Sequence, residues 1–189
     1  MIKEIRKVDS TDSPQEHYWI ILDKTPFYAE GGGQVIDTGT ISHADIIFDV
    51  VNMVRYRDTS FHIAMLTSGS YDRQSNPLAE KVVLVSVDFS RRWDIMRNHT
   101  VTHLTQAALR KVLGDQVKQS GSYVVPDYMR FDFLHHQPMT PEEIRQVEEI
   151  VNAKIIEGHE VKSNEMPVDE AKKSGAMALF GEKYGDIVR

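Results

Sequence analysis

The pattern of apolar residues changes abruptly at Asp88, and this change limits the folds that the chain can adopt. Before Asp88, aromatic and β-branched residues occur in short runs that are separated by turn residues, which predicts strands. Several short strands in one such stretch are typical of a small barrel or sandwich. The predicted strands are 17–22, 35–41, 45–57, 61–66 and 81–87, and a polar loop is predicted at 67–76.

The first predicted helix covers 90–113, with Ser90 as its N-cap and Gly114 directly after its last turn. Apolar residues at helical spacing form the stripe expected to face the core, namely Val101, Leu104, Ala108 and Val112. His99 and His103 are one turn apart and lie roughly opposite that stripe. Their position alone leaves two interpretations open: a solvated outer face, or the wall of a cleft where two imidazoles bind a transition metal.

The remaining chain predicts a second helix from Pro141 to about Gly158, because Thr140 can cap it and acidic residues follow in its first turn. Strands are predicted at 117–125, 128–134, 160–166 and 187–188, and a short helical segment at 168–173. The predicted fold class is therefore α+β. A small β-barrel-like subdomain at 1–88 precedes an antiparallel sheet at 89–189 with long helices packed on one face.

Composition excludes some classes of protein. The net charge of −6 argues against a surface that coats nucleic acid broadly, but it leaves room for a local basic patch. The chain has no cysteine, so it contains neither disulfides nor thiolate metal ligands. No apolar run approaches the ~20 residues that span a bilayer, and the N-terminus lacks the apolar region of a secretory signal. These features predict a cytoplasmic protein.

Three consecutive glycines, Gly31 to Gly33, cannot belong to a stable helix interior. They predict a loop with positive φ angles or a close approach of the backbone to another group. Successive N–H groups could also form an anion-binding nest, although the GK[ST] ending of a P-loop is absent. Composition leaves open whether this is a plain connecting loop or a binding loop.

Taken together, several segments resemble the alanyl-tRNA synthetases, in the order found in that family. The residues that carry the resemblance are TPFYAEGGGQ at 25–34, DTG at 37–39, RNHTVTHL at 97–104, VKQSGS at 117–122, RFDF at 130–133 and ALFGEKYGD at 178–186. The resemblance covers nearly the whole chain and is to the editing domain. It excludes the ATP-binding aminoacylation domain of such enzymes. Free-standing editing proteins also resemble this chain, but the amino-acid sequence of residues 25–30 is more similar to that of the synthetases.

The resemblance implies hydrolysis of mischarged Ser-tRNA(Ala), and less prominently of Gly-tRNA(Ala), at a zinc-dependent site. It implies that His99 and His103 are zinc ligands, that Thr102 senses the serine hydroxyl and that Gln119 lies at the editing pocket. It places a glycine-rich loop near that pocket, at Gly32, Gly33 and Gln34. The implied partners are the acceptor end of tRNA(Ala) and the rest of a synthetase chain.

Members of the family complete the zinc site with a cysteine and a histidine from a later Cys-Gly-Gly-Thr-His segment. Those ligands are expected beyond Arg189, so zinc is expected to be weakly held or absent in this chain. His135 and His136 are poor replacements, because adjacent strand residues point to opposite faces. The alternative function is a non-catalytic tRNA-binding or structural fragment. A hydrolase for an unrelated ester is disfavoured by the ordered motifs.

Overall fold

The structure is a computed structural model that describes residues 1–8, 16–72, 74, 77–160, 162–175 and 185–188. It contains two compact units, Met1–Val151 and Asn152–Arg189. The predicted domain boundary at 88/89 coincides with the beginning of a helix inside the first unit, and it stays a prediction. Within the described ranges, no helix has the length and the apolar character needed to cross a membrane.

An antiparallel sheet of six strands dominates the first unit. The strands are β1 (Ile2–Val8), β2 (His17–Leu22), β3 (Gly39–His43), β4 (Ile46–Tyr56), β5 (Thr59–Ser68) and β6 (Leu84–Val87). Their order is β1-β2-β5-β4-β3-β6. Strand β1 was not predicted from the sequence, because most of its residues between Ile2 and Val8 are charged. The strand predicted at 35–41 begins only at Gly39, since residues 35–38 are not in a strand.

The beginning of β1 is hydrogen-bonded to the segment that precedes β6. The Ile2 N–H donates to the Lys81 carbonyl at 3.0 Å, and the Glu80 N–H donates to the Ile2 carbonyl at 2.7 Å. Glu80 and Lys81 therefore lie opposite the single residue Ile2, which is the bonding pattern of a β-bulge. Glu80 has a positive φ of 64°, which the first residue of such a bulge can require. These bonds connect the first strand to the segment that precedes the last one.

One face of the sheet forms an apolar core that includes Ile20, Ile41 and Phe48. His62 of β5 lies on this buried face. Its Nδ1 bonds the Ile20 carbonyl at 2.9 Å and its Nε2 bonds Thr25 Oγ1 at 2.8 Å. Both ring nitrogens are satisfied, so His62 is a structural core residue.

Helix α1 runs from Phe89 to Leu113, close to the predicted bounds. Its N-cap is Asp88, whose Oδ1 accepts the Arg91 N–H at 3.1 Å, so the assignment of Ser90 as N-cap was wrong. The predicted core stripe is confirmed. Ala108 is fully buried, and the other three members of the stripe pack on the same cluster, which contains Leu109, Val117, Val147 and Val151.

A two-stranded antiparallel sheet follows α1, formed by β7 (Gln119–Val124) and β8 (Met129–Phe133). Helix α2 (Pro141–Glu157) begins with the predicted signature: Glu143 Oε2 accepts the Thr140 N–H at 2.7 Å, and Thr140 Oγ1 accepts the Glu143 N–H at 3.2 Å. Val147 and Val151 of α2 join the core cluster under α1. The α+β class predicted from the sequence is confirmed.

The second unit contains the remaining short elements, β9 (Met166–Pro167), α3 (Val168–Lys173) and β10 (Ile187–Val188). Strands β9 and β10 pair in antiparallel fashion. The predicted helix at 168–173 and strand at 187–188 are confirmed. The strand predicted at 160–166 is wrong for its described residues before Met166. Most of the motif at 178–186 lies outside the described residues.

Candidate functional site

The glycine-rich loop is a tight turn between Gly31 and Gln34. The Gly31 N–H donates to the Gln34 carbonyl at 3.3 Å, and the Gln34 N–H donates to the Gly31 carbonyl at 3.0 Å. The two central residues, Gly32 and Gly33, have φ angles of 58° and 79°. A two-residue turn with positive φ at both central positions strongly favours glycine there, which explains this part of the motif.

The tip of this loop lies directly against β7. The Val124 N–H donates to the Gly33 carbonyl at 2.8 Å, and the Val35 N–H donates to the Val124 carbonyl at 3.1 Å. A Cβ placed on Gly33 would lie 2.3 Å from Ser122 Oγ and 2.4 Å from the Ser122 carbonyl oxygen. The close backbone approach expected from the glycines is therefore present, and its partner is a strand of the same chain.

An ion pair between a buried aspartate and a partly exposed arginine holds the chain that follows the loop. Asp37 is 1% exposed, and its Oδ2 accepts the Tyr28 N–H at 2.6 Å. Arg92 of α1 donates to Asp37 through Nε at 3.1 Å and through Nη2, and it also donates to the Pro26 carbonyl at 2.7 Å. The Arg92 guanidinium therefore holds the loop segment against α1.

Two other arginines of α1, Arg97 and Arg110, could contact tRNA phosphates, but both are engaged in ion pairs. Arg97 Nη1 lies 2.5 Å from Asp94 Oδ1, and Arg110 Nη2 lies 2.8 Å from Asp115 Oδ1. Both pairs are at the surface, where such contacts contribute little to stability. An acidic partner lowers the positive potential that either arginine presents to a phosphate.

His99 and His103 stack on each other in α1. Their ring centroids are 5.2 Å apart and their planes differ by 13°. His99 is half-buried and its Nδ1 lies 2.6 Å from Gln34 Oε1. Because an amide oxygen only accepts hydrogen bonds, this contact places the proton on Nδ1 and leaves the lone pair on Nε2. Burial, and then the charge of His103, lower the pKa of His99, which favours the neutral ring.

Among the described residues, His99 and His103 are the two candidate metal ligands that lie together. Zinc in proteins takes four ligands, or three and a water. Among the residues that the structure describes, no group of three or more histidine, cysteine, aspartate or glutamate side chains is arranged to hold a metal. Two parallel imidazoles therefore do not fit a complete zinc centre on their own.

Thr102 is buried on α1 beside the histidine pair. Its Oγ1 donates to the Asn98 carbonyl at 2.8 Å, one turn back along the helix. The Asn98 side chain in turn donates to the carbonyls of Val125 and Pro126 at 2.8 and 2.9 Å. The connection between β7 and β8 is thus hydrogen-bonded to the part of α1 that carries Thr102.

Gln119 begins β7 and is exposed. Its Nε2 donates to Ser122 Oγ at 3.0 Å, and Ser122 Oγ donates to the Gly32 carbonyl at 3.2 Å. Gln119 is therefore connected to the glycine-rich loop through Ser122. Together with the contact between Gln34 and His99, these bonds bring three segments that are distant in sequence to one place.

Three residues that organise this place received no role from sequence reasoning: Asp37, Asn98 and Ser122. Each lies inside or beside a quoted motif, so the motif was the available signal. Their contacts cross long stretches of sequence, as between Asp37 and Arg92 or between Ser122 and Gly32. Spacing along the chain could not reveal such contacts.

The comparisons with known proteins agree with the motifs. The family described as tRNA synthetases class II (A) matches residues 1–80. The alanine–tRNA ligase of Acetivibrio thermocellus is 47% identical over 190 residues, which cover 100% of this chain and 21% of the ligase. The ligase of Dechloromonas aromatica is 50% identical over 171 residues, or 90% of this chain and 19% of that protein. The ligase of Fusobacterium nucleatum is 43% identical over 178 residues, or 94% and 20%.

The chain spans about one fifth of the length of these relatives. The match to the ligase of Acetivibrio thermocellus covers the whole chain, so the segments that form the site described above lie inside it. Over nearly its whole length, this chain is therefore similar in sequence to a segment of alanine–tRNA ligases.

Proposed function

We propose that this chain is the editing part of an alanyl-tRNA synthetase and hydrolyses the ester bond of mischarged Ser-tRNA(Ala) and Gly-tRNA(Ala). The observation that carries the proposal is the convergence of the glycine-rich loop, the histidine pair and the start of β7, through Gln34, His99 and Ser122. The proposed partners are the acceptor end of tRNA(Ala) and the rest of a synthetase, in the cytoplasm.

Elementary recognition chemistry explains why such a site is needed. An amino-acid pocket built for alanine cannot strongly reject glycine, which is smaller, or serine, which adds only a hydroxyl group. A second site that hydrolyses the wrong product restores accuracy. That site must bind the serine hydroxyl with a hydrogen-bonding group that an alanyl ester would leave unpaired.

Thr102 has the hydrogen-bonding state that this task requires. A threonine hydroxyl has one donor and two acceptor lone pairs. Its donor is used by the Asn98 carbonyl, so toward a ligand Thr102 can only accept. A seryl hydroxyl can donate to it, whereas an alanyl methyl group cannot. In the proposed mechanism Thr102 selects the substrate, and the exposed amide of Gln119 hydrogen-bonds the ester or the attacking water.

The histidine pair is proposed as two of the ligands of a zinc ion that would take part in this hydrolysis. The described residues supply no third ligand, so we expect this chain to bind zinc weakly. The 189-residue chain should therefore retain well below one equivalent of zinc after purification without chelator. A full equivalent of zinc retained by this chain would contradict the expectation that two histidines alone bind the metal weakly.

Deacylation assays on a ligase-length protein that carries this chain test the role of Thr102. Thr102→Val removes the hydroxyl group with little change of shape. We expect it to reduce hydrolysis of Ser-tRNA(Ala) relative to Ala-tRNA(Ala) by about tenfold, the equivalent of one hydrogen bond of ~1.4 kcal/mol.

Thr100 provides a matched control, because its Oγ1 makes the same bond one turn back, to Met96 O at 3.0 Å, and Thr100 is exposed. Thr100→Val should leave the discrimination unchanged. Unaltered discrimination in Thr102→Val would remove Thr102 from the proposed site.

The incomplete metal site favours a second candidate function, a non-catalytic module that binds tRNA. The two functions differ in the hydrolysis of Ser-tRNA(Ala), which is measured with the 189-residue chain and with a ligase-length protein that carries it. Hydrolysis of Ser-tRNA(Ala) by this chain with added zinc supports the hydrolase. Binding of tRNA without hydrolysis, with zinc added and in a ligase-length protein, supports the module.

A further inference from the structure

The outer face of the six-stranded sheet carries large apolar side chains that no part of the described chain covers. Residues alternate along a strand, so the partners of the core residues point outward. On β2, β4 and β5 these outward residues form one outer apolar patch, which consists of Trp19, Ile21, Val54, Tyr56, Phe61 and Ile63. Trp19 is 46% exposed, Val54 48% and Tyr56 64%.

The sheet register makes the patch continuous. Trp19 lies opposite Ile63, Ile21 lies opposite Phe61, and Phe61 lies opposite Val54 on its other side. The rings of Trp19 and Phe61 meet edge to face, with centroids 5.6 Å apart. A groove of about 280 Å³ runs between Trp19, Val54, Tyr56, Phe61 and Ile63. Contiguous exposed apolar surface is a common feature of interaction sites.

The chemistry of the groove favours a protein partner over a nucleic acid. None of its five lining residues is charged. Two cations flank the patch. Arg6 lies opposite Trp19 in the sheet and pairs with Glu4, and the Arg57 guanidinium lies 5.4 Å from the centre of the Tyr56 ring. A surface that binds RNA needs cations along the path of the phosphates, and this face offers few.

We propose that the outer apolar patch is the surface on which another part of a synthetase polypeptide docks. The alanine–tRNA ligases that match this chain are about five times as long, since the match covers 19–21% of each. The other four fifths of such a protein supply a covalently linked surface at high effective concentration. Interfaces between domains of one polypeptide resemble transient protein–protein interfaces and bury roughly 600–1,500 Å².

Reactivity of an introduced thiol tests the proposal, because the chain has no cysteine of its own. Val54→Cys places a single thiol in the patch, and Val82→Cys places one at a site that is 78% exposed and outside it. Each variant is made in the 189-residue chain and in the ligase of Acetivibrio thermocellus, with its matching 190 residues replaced by this chain. Alkylation by iodoacetamide is followed peptide by peptide with mass spectrometry.

We expect Cys-labelling at position 54 to be at least tenfold slower in the chimaeric ligase than in the isolated chain. Labelling at position 82 should agree within about twofold between the two proteins, since no docking is proposed there. Circular dichroism establishes that each variant is folded. Tyr56→Cys, and the same exchange in the ligase of Dechloromonas aromatica, provide a second thiol and a second host.

Three results would overturn the proposal. Equal labelling at position 54 in the isolated chain and in both hosts means that no synthetase segment covers the patch. Slower labelling of the isolated chain as its concentration rises means that a second copy occupies it. Slower labelling of the isolated chain on addition of single-stranded RNA means that the patch binds nucleic acid.

Discussion

Replacing Gly33 by alanine tests whether the glycine-rich loop is held against β7 as the structure shows. Gly33 has a φ of 79°, and an alanine in this left-handed region costs about 1–2 kcal/mol. Its Cβ would also lie 2.4 Å from the backbone carbonyl of Ser122. The loop must then move away and lose its two backbone hydrogen bonds with Val124, each worth about 1 kcal/mol. We expect Gly33→Ala to lower the free energy of unfolding by about 3–4 kcal/mol.

Gly32 is the matched control within the same turn. Its φ of 58° carries the same backbone cost, but a Cβ there meets no atom within 4 Å. Gly32→Ala should therefore lower the free energy of unfolding by only about 1–2 kcal/mol. Urea unfolding gives both values, and hydrogen exchange at the Val124 amide should accelerate strongly in Gly33→Ala alone.

A third variant separates the two obstacles that a side chain at position 33 would meet. Ser122→Ala removes the hydroxyl that lies 2.3 Å from the added Cβ, but it keeps the carbonyl. If the backbone approach is limiting, the double variant Gly33→Ala/Ser122→Ala remains as unstable as Gly33→Ala. Equal costs for Gly32→Ala and Gly33→Ala, within about 0.5 kcal/mol, would refute the docking of the loop on β7.

Three further predictions concern the residues around the site and in the core. Gln34→Ala removes the acceptor at His99 Nδ1, so nitrogen NMR of the ring should change from one tautomer to a mixture. Burial lowers the pKa of His62, so the neutral ring makes its full contribution to the free energy of unfolding above about pH 6.5. That contribution decreases as the pH falls from there toward the lowered pKa. The midpoint of urea unfolding should therefore decrease less with falling pH in His62→Gln than in the unchanged chain. Asp37→Asn should cost about 2–4 kcal/mol, because it breaks the ion pair of a buried carboxylate, whereas Asp115→Asn at an exposed pair should cost under about 0.5 kcal/mol.

Local signals predicted the elements of this fold well, because the elements depend on neighbours in sequence. The period of Val101, Leu104, Ala108 and Val112 placed the core face of α1 correctly. The cap and proline signature placed the beginning of α2 at Pro141. The N-cap of α1 was misplaced because both Asp88 and Ser90 can accept an N–H, and spacing does not decide between them.

Contacts between distant segments lay outside the reach of sequence reasoning. The glycines predicted a close approach of the loop backbone to another group. That group is Ser122, and its identity depends on how β7 is placed in three dimensions. The opposite faces of α1 left the environment of His99 undecided between solvent and cleft. The contact with Gln34, 65 residues earlier, gives that ring a protein partner, and no periodicity encodes it.

The orientation of the His99 ring depends, step by step, on the backbone conformation of the glycine-rich loop. The positive φ angles of the two central glycines permit the tight turn, and the turn places the Gly33 carbonyl on the Val124 N–H. That docking holds Gln34 buried, and the Gln34 amide fixes the tautomer of His99. The orientation of this ring is therefore set by folding and needs no bound ligand. A ligand that contacts Nε2 of His99 then meets an ordered ring, so binding loses less entropy there than at a mobile one.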